Sequence, residues 1–261
     1  MKPKPSGLER RHAEQFCDAS IVEAYAERPP YPADLDPLFV ELAGGPGAHI
    51  LDLGCGTGEL ARRLAPRVKA ITAVDQSEGM IVRARSLPGG DAPNVQWTVG
   101  RVEDVRLAGP FTSALAAQSF HWFDWAVLAR RLAEWLPTRR LVLTDRREGA
   151  SPWAEALAPL YGRFSTNRDF EPFDLVEELT ARRCLTIEGQ LTNGRQRFTQ
   201  SIEAYLTGLH SQNGFSRDRM LAADAHAFDD AVRQAVTPHA RDGVLTFPVV
   251  TRVVWGRVSI P

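Results

Sequence analysis

ILDLGCGTGEL, residues 50–60, is an apolar run that closes in three alternating glycines, Gly54, Gly56 and Gly58, and then turns helical. A run without polar alternation reads as a strand buried on both faces, the pattern of a parallel sheet. Glycine at its carboxyl end lets a ligand approach the main chain without meeting Cβ atoms, and in open α/β sheets that crevice is where small molecules bind. The plain alternative is a tight turn that needs glycine for its geometry alone. A dinucleotide fingerprint, G-x-G-x-x-G, fails because Glu59 stands where its third glycine belongs. A phosphate-cradling P-loop fails as well, since Gly58 is followed by Glu59 and not by Lys.

The pattern repeats outward from this stretch. Strand-like AITAVD, VQWTVG, FTSALAAQS and RRLVLTD alternate with helical GELARRLAPRV, SEGMIVRARSLP and WAVLARRLAEWL, giving five βα units up to Asp145. Upstream, CDASIVEAYAERPPYP reads as a short helix broken by Pro29 and Pro30, and ADLDPLFVELAG as an amphipathic helix ended by Gly44 and Gly45. Beyond Gly149 come two helical stretches, a strand-and-turn segment, two more helices from about Ser201 to Ala235, and the β-rich GVLTFPVVTRVVWGRV. These features predict an α/β fold: a Rossmann-like doubly wound sheet, mostly parallel with an antiparallel C-terminal strand, plus a helical cap. One domain is expected, divided into residues 1–36 as an N-terminal arm and lid, 37–149 as the binding core, and 150–261 as cap and final strands. The Pro- and Lys/Arg-rich residues up to Glu14 are expected to be mobile.

With 261 residues and 44% apolar content the chain can bury a sizeable core, and a net charge of −1 gives no excess of positive charge for nucleic acid or an anionic membrane. Five arginine pairs, at 62/63, 130/131, 139/140, 146/147 and 182/183, read as solvated faces and not as a nucleic-acid track. Cys17, Cys55 and Cys184 have neither disulfide-framework nor zinc spacing, and His210 and His226 lack a metal-spacing partner, so no metal is expected. The absence of an apolar signal or membrane-spanning run predicts a soluble, cytoplasmic protein, monomer or homodimer.

The spacing D-x-G-x-G-x-G, here Asp52, Gly54, Gly56 and Gly58, resembles motif I of the class I S-adenosylmethionine-dependent methyltransferases. The next strand ends in Asp75, where the family uses an acidic residue to accept both ribose hydroxyls. The residues after it line the adenine in that family, which implicates Gln76 and Met80. GRVEDV, residues 100–105, is similar to the family's G-D-A-E-D-L; Arg101 stands where an Asp approaches the adenine amine, and the resemblance leaves main-chain contacts at Val102 and Glu103. AAQSFHWFD, residues 116–124, and YAERPPYP, residues 25–32, look like the trans-aconitate methyltransferase branch, with Tyr25 one residue closer to Arg28 than in its pattern. The resemblance covers roughly residues 25–145 and implies S-adenosylmethionine as cofactor and a small-molecule methyl acceptor.

A sulfonium methyl is already activated, so the enzyme's task is alignment of the acceptor and exclusion of water, with a base needed only for an acceptor of high pKa. His121, past the fourth strand, is the candidate base; its plain alternative is a packing histidine. Gln118 shapes the cofactor pocket through its main chain. The resemblance gives Arg28 and Tyr25 the methionine end of the cofactor. Tyr31, His121, Trp122, Phe123, Trp153 and Tyr205 are the candidate acceptor-site residues, with core packing as the plain alternative for the aromatics. The leading reading is O- or C-methylation of a metabolite. Alternatives are a cofactor-binding protein that transfers no methyl group and, less favoured, a macromolecular methyltransferase, since the fourth strand lacks Asn/Asp-Pro-Pro-Tyr and a Pro-Cys nucleophile.

Overall fold

The computed structural model describes residues 4–260, Arg195 through its backbone alone. Seven strands form a single sheet: β1 (His49–Leu53), β2 (Ala70–Asp75), β3 (Val95–Val99), β4 (Ser113–Ala117), β5 (Arg140–Glu148), β6 (Leu185–Ser201) and β7 (Val244–Val258). Their spatial order is β3-β2-β1-β4-β5-β7-β6. The first five are parallel, while β7 runs antiparallel to both β5 and β6. The expected doubly wound sheet is therefore present, with the C-terminal strand β7 reversed and β6 at the edge running again in the direction of the first five. Helices α1 (Arg10–Ala13), α2 (Ala19–Ala24) and α3 (Asp36–Ala43) precede the sheet; α4 (Glu59–Leu64), α5 (Glu78–Ser86) and α6 (Trp125–Trp135) cross its faces. Helices α7 (Ala154–Phe164), α8 (Leu175–Ala181), α9 (Ile202–His210) and α10 (Ala222–Val236) follow.

Burial explains the parallel arrangement. Ile50 to Leu53 of β1 and Ile71 to Asp75 of β2 are buried throughout, so both strands need cover on both faces. One cluster, with Leu51, Leu53, Leu128 and Leu132, lies under α6; a second, with Phe39, Ile50, Leu60 and Leu64, lies under α3 and α4. A third fills the cap around Trp153, Phe228 and Phe247. Strand β7 reaches all three: Val254 and Val258 enter the first, Val253 the second, and Leu245, Phe247 and Val249 the third.

The N-terminal arm departs from expectation. Leu8, His12, Ala13 and Gln15 are buried, and hydrogen bonds tie the arm to the cap, among them Asn167 Nδ2 to Gly7 O at 3.1 Å, Asn213 Nδ2 to His12 O at 2.6 Å, and Gly214 N to Gln15 Oε1 at 2.9 Å. Its polar composition conceals these few anchors. Among the described residues no helix is long and apolar enough to cross a membrane.

In the cap, buried His210 Nε2 meets Asp229 Oδ1 at 2.7 Å and Arg217 Nη2 meets Oδ2 at 2.6 Å. Burial raises the Asp229 carboxyl, but hydrogen bonds from His210 and Arg217 outweigh it, leaving the group below its ordinary range. A depressed acid contributes stability that is fully present above its unfolded pKa and lost as pH falls through the folded value. Unfolding midpoints measured from pH 6 downward should therefore fall below about pH 4, and Asp229→Asn should flatten that part of the curve.

Candidate active site

The loop after β1 is built by three residues in the left-handed region: Gly54 (φ +66°), Gly56 (φ +55°) and Gly58 (φ +69°). A Cβ at Gly54 would stand 2.6 Å from Ser119 Cβ, and one at Gly58 2.2 Å from Trp97 Cη2. The amides of Gly54 and Cys55 both donate to Val74 O, which binds the loop to β2. Asp75, at the tip of β2, then straps the loop itself: Oδ2 accepts from Gly56 N at 2.8 Å and Oδ1 from Ser77 N at 2.9 Å. Burial pushes the Asp75 carboxyl up, partly offset by these two amides. Each oxygen keeps a further lone pair for a ligand hydroxyl.

Above this loop a cavity of about 450 Å³ opens at the carboxyl ends of the strands. Of the residues assigned to the cofactor from sequence, Tyr25, Gly54, Gly56, Asp75, Gln76 and Met80 line it, as do Val102, Glu103 and Gln118. Trp122 and Phe123, assigned to the acceptor, line it too. Gln118 sits at φ +52°, a strained backbone for a side-chain-bearing residue. Its side chain is turned away from the loop: Oε1 accepts from Tyr31 Oη at 3.3 Å and Nε2 donates to Arg146 O at 2.7 Å.

Several assigned residues lie off the cavity wall. Gly58 starts α4 against Trp97, so its glycine requirement comes from its left-handed backbone and from packing. Asp52 is buried behind the loop, pushed up to about 7 by burial and the neighbouring Asp75 charge, with Oδ1 lacking a hydrogen-bond partner. Arg28 stacks on the Tyr25 ring, 4.2 Å from its centroid, and donates through Nε (2.8 Å) and Nη2 to Ser211; it supports Tyr25 from behind. Tyr31 is buried in the cluster beneath α3 and α4. Trp153 and Tyr205 belong to the cap core, where Trp153 Nε1 donates to Tyr205 Oη at 3.0 Å and that hydroxyl to Glu148 Oε2 at 2.9 Å.

His121 is also off the wall. Its ring packs against Trp122 and Phe173, with centroids 4.6 and 6.2 Å away, and burial plus the Lys4 charge lowers its pKa to about 3. Such an imidazole is neutral at working pH and a feeble proton acceptor. His121→Phe should accordingly keep turnover within about threefold, and the pH–rate profile should show no limb near the ordinary histidine pKa of about 6.5. A drop of two orders of magnitude in kcat with intact folding would restore the ring to the chemistry.

Residues 1–36 were expected as an arm and lid, but sequence reasoning singled out none of the arm residues before Tyr25 that form the wall. Lys4, Leu8, Glu9, Ala13 and Phe16 all line the cavity. Lys4 Nζ donates to Leu8 O at 3.2 Å and Phe123 O at 3.1 Å and lies 5.2 Å from the Trp125 ring centroid. Gln76 Nε2 donates to Ala13 O at 2.8 Å, fastening the arm to the loop after β2. The apolar residues Leu8, Ala13 and Phe16, spaced among charges, were the available signal.

Residues 50–141 match the family model described as a methyltransferase domain. Over those residues the chain is similar to methyltransferase domains. An uncharacterized methyltransferase of Mycobacterium bovis is 32% identical to it over 148 residues, which are 55% of this chain and 58% of the relative. The methyltransferase match thus spans less than two-thirds of that relative's length. A candidate type II methyltransferase of Anaeromyxobacter dehalogenans shares the fold at 24% identity and a TM-score of 0.59, over 88% of this chain and 97% of that one. A methyltransferase of Thiobacillus denitrificans, solved in complex with S-adenosylhomocysteine, superposes with a TM-score of 0.51 at 16% identity, over 91% of this chain and 97% of that one.

Proposed function

We propose that this chain transfers the methyl group of S-adenosylmethionine to an oxygen or carbon of a small metabolite. The observation that carries the reading is the placement of the Asp75 carboxylate beside bare glycine backbone at the floor of a 450 Å³ cavity. The residues fit the cofactor. Asp75 can accept two ribose hydroxyls, Met80 and Val102 offer apolar faces for a base, and Gly54 and Gly56 let the amino-acid tail approach the main chain.

When bound, the cofactor supplies an electrophilic methyl on a charged sulfur. The chain's own contribution is positioning and the exclusion of water, which together account for roughly 7–11 kcal/mol in well-aligned reactions. Phe16, Trp122 and Phe123 give the cavity aromatic walls, and Phe16 and Trp122 pack with ring centroids 5.6 Å apart. Because His121 lies off the wall, the reading favours an acceptor that needs no histidine base, such as a carboxylate. Lys4, lowered to about 8 chiefly by burial, still carries its charge at neutral pH and suits an anionic acceptor at the wall.

Titration calorimetry with S-adenosylhomocysteine tests the cofactor: micromolar binding is expected, and no heat at millimolar ligand would remove the reading. Incubation with S-adenosylmethionine and a panel of carboxylic acids should then release S-adenosylhomocysteine with at least one of them. Binding without release on carboxylate, hydroxyl and carbon acids would leave a cofactor-binding protein that transfers no methyl group.

A further inference from the structure

A second cavity, of about 280 Å³, opens where the N-terminal arm meets the cap. The arm contributes Arg11 and His12, the segment after α7 contributes Arg168 and Asp169, and the segment before α10 contributes Arg219. Arm residues Leu8, Ala13 and Phe16 line the first cavity, so the same few turns of chain wall both.

His12 sets the chemistry of this second cavity. The residue is 6% exposed, and its Nδ1 has no hydrogen-bond partner among the described residues. Arg11 Nε lies 3.2 Å from His12 Nε2, and a guanidinium only donates, so Nε2 accepts and the ring proton sits on Nδ1. Glu9 Oε2 stands farther from Nε2, at 3.4 Å, and a proton placed there would face the Arg11 N–H. Burial and the Arg11 charge lower the ring's pKa, which keeps it neutral. The orphan is thus a buried N–H, and a buried donor without an acceptor weighs against the fold until a ligand accepts from it.

The surrounding charge agrees. Three arginines and one carboxylate line the cavity. Arg11 Nη2 donates to Asp169 Oδ2 at 2.7 Å, and Arg219 holds Asp18 through Nε (2.6 Å) and Nη2 (2.9 Å). Among the described residues Arg168 pairs with no carboxylate and donates to Arg163 O alone, at 3.5 Å. A guanidinium fork without a counter-charge and a buried N–H without an acceptor, lining one cavity, form a donor set for an oxyanion.

We propose that this cavity binds a phosphate group, free or carried by a small metabolite, with His12 and Arg168 as its donors, and that its occupancy holds the arm in place as a wall of the first cavity. The site stands on the contacts above; its effect on the first cavity rests on the cofactor reading.

Titration calorimetry of the full chain with inorganic phosphate and with glycerol 3-phosphate, at an ionic strength held constant with sodium chloride, tests the site. Binding with a Kd below about 1 mM is expected, and the tighter ligand identifies the free ion or the ester as the occupant. Arg168→Gln should weaken it at least about tenfold, one lost charge-assisted hydrogen bond, while S-adenosylhomocysteine affinity without phosphate stays within about twofold. His12→Phe keeps a ring and removes the donor, with a similar loss expected; the exposed Arg168→Gln carries the test should the buried variant fail to fold. Phosphate should tighten S-adenosylhomocysteine binding at least about fivefold in the natural chain and leave it unchanged in Arg168→Gln. No phosphate binding, or binding that the folded variants leave intact, overturns the site. Phosphate binding without any change in S-adenosylhomocysteine affinity overturns its hold on the arm. A chain that binds phosphate but not S-adenosylhomocysteine keeps the site and removes the cofactor reading.

Discussion

Asp75→Ala should weaken S-adenosylhomocysteine binding by at least about a hundredfold, because two hydrogen bonds to a charged group contribute roughly 1.5–3 kcal/mol each. The carboxylate has two tasks, and the variant removes both. It no longer offers oxygens to a ribose, and it frees the buried amides of Gly56 and Ser77 that it accepts in the folded chain. The second effect costs stability, so melting and binding are measured together. Asp75→Asn separates them: its carbonyl oxygen still takes one of the two amides, while its amino group cannot accept a hydroxyl. Affinity falling in Asn with a nearly natural melting temperature isolates the ligand contact. Equal affinity in Ala and the natural chain would place the sugar elsewhere.

Gly58→Ala should destabilise the fold by about 2–5 kcal/mol, the sum of a left-handed backbone for alanine (about 1–2) and overpacking (about 1–3). The methyl would meet Trp97 Cη2 at 2.2 Å and Cζ3 at 2.6 Å. The indole cannot swing aside freely, since its Nε1 donates to Gly90 O at 2.9 Å. Denaturant unfolding of Gly58→Ala in a Trp97→Ala background should recover the overpacking share and leave the backbone share. A single substitution that unfolds at the natural midpoint would mean that the helix start shifts at no cost.

Much of this architecture is written in local sequence. The buried runs of β1, β2 and β4, the glycine break, and α6 capped by Asp124, whose Oδ1 accepts from Ala126 N and Val127 N, announce themselves by periodicity and end signals. What failed to read were side chains whose direction is set by distant partners. Four of the arginine pairs expected in solvent contain an inward member: Arg63 pairs with Asp36, Arg131 clamps the loop after β3, buried Arg146 meets Glu59 at 3.2 Å, and Arg182 meets Glu178 at 2.6 Å. Arginine stems pack against apolar surface while the head finds a carbonyl or carboxylate, and nothing local distinguishes that from exposure. Tyr31 and Arg28 fail for the same reason, since Gln118 and Ser211 lie 87 and 183 residues away in sequence. Trp153 and Tyr205 at helical spacing are core residues, and only the cap's packing around Phe247 reveals it.

Strand β7 has a consequence for how the chain is made. It lies between β5 and β6, and its fifteen residues enter every apolar cluster of the molecule. During synthesis the open flank of β5 thus stays unpaired until residues 244–258 have left the ribosome, so the nascent chain must be shielded from aggregation through nearly its whole length. Once that strand docks, core and cap share it, since Val254, Val253 and Phe247 enter the three clusters in turn. The N-terminal arm is fastened differently, by scattered side chains such as Gln15, Asp18, Asn167 and Asn213 that reach across to the cap or back from it.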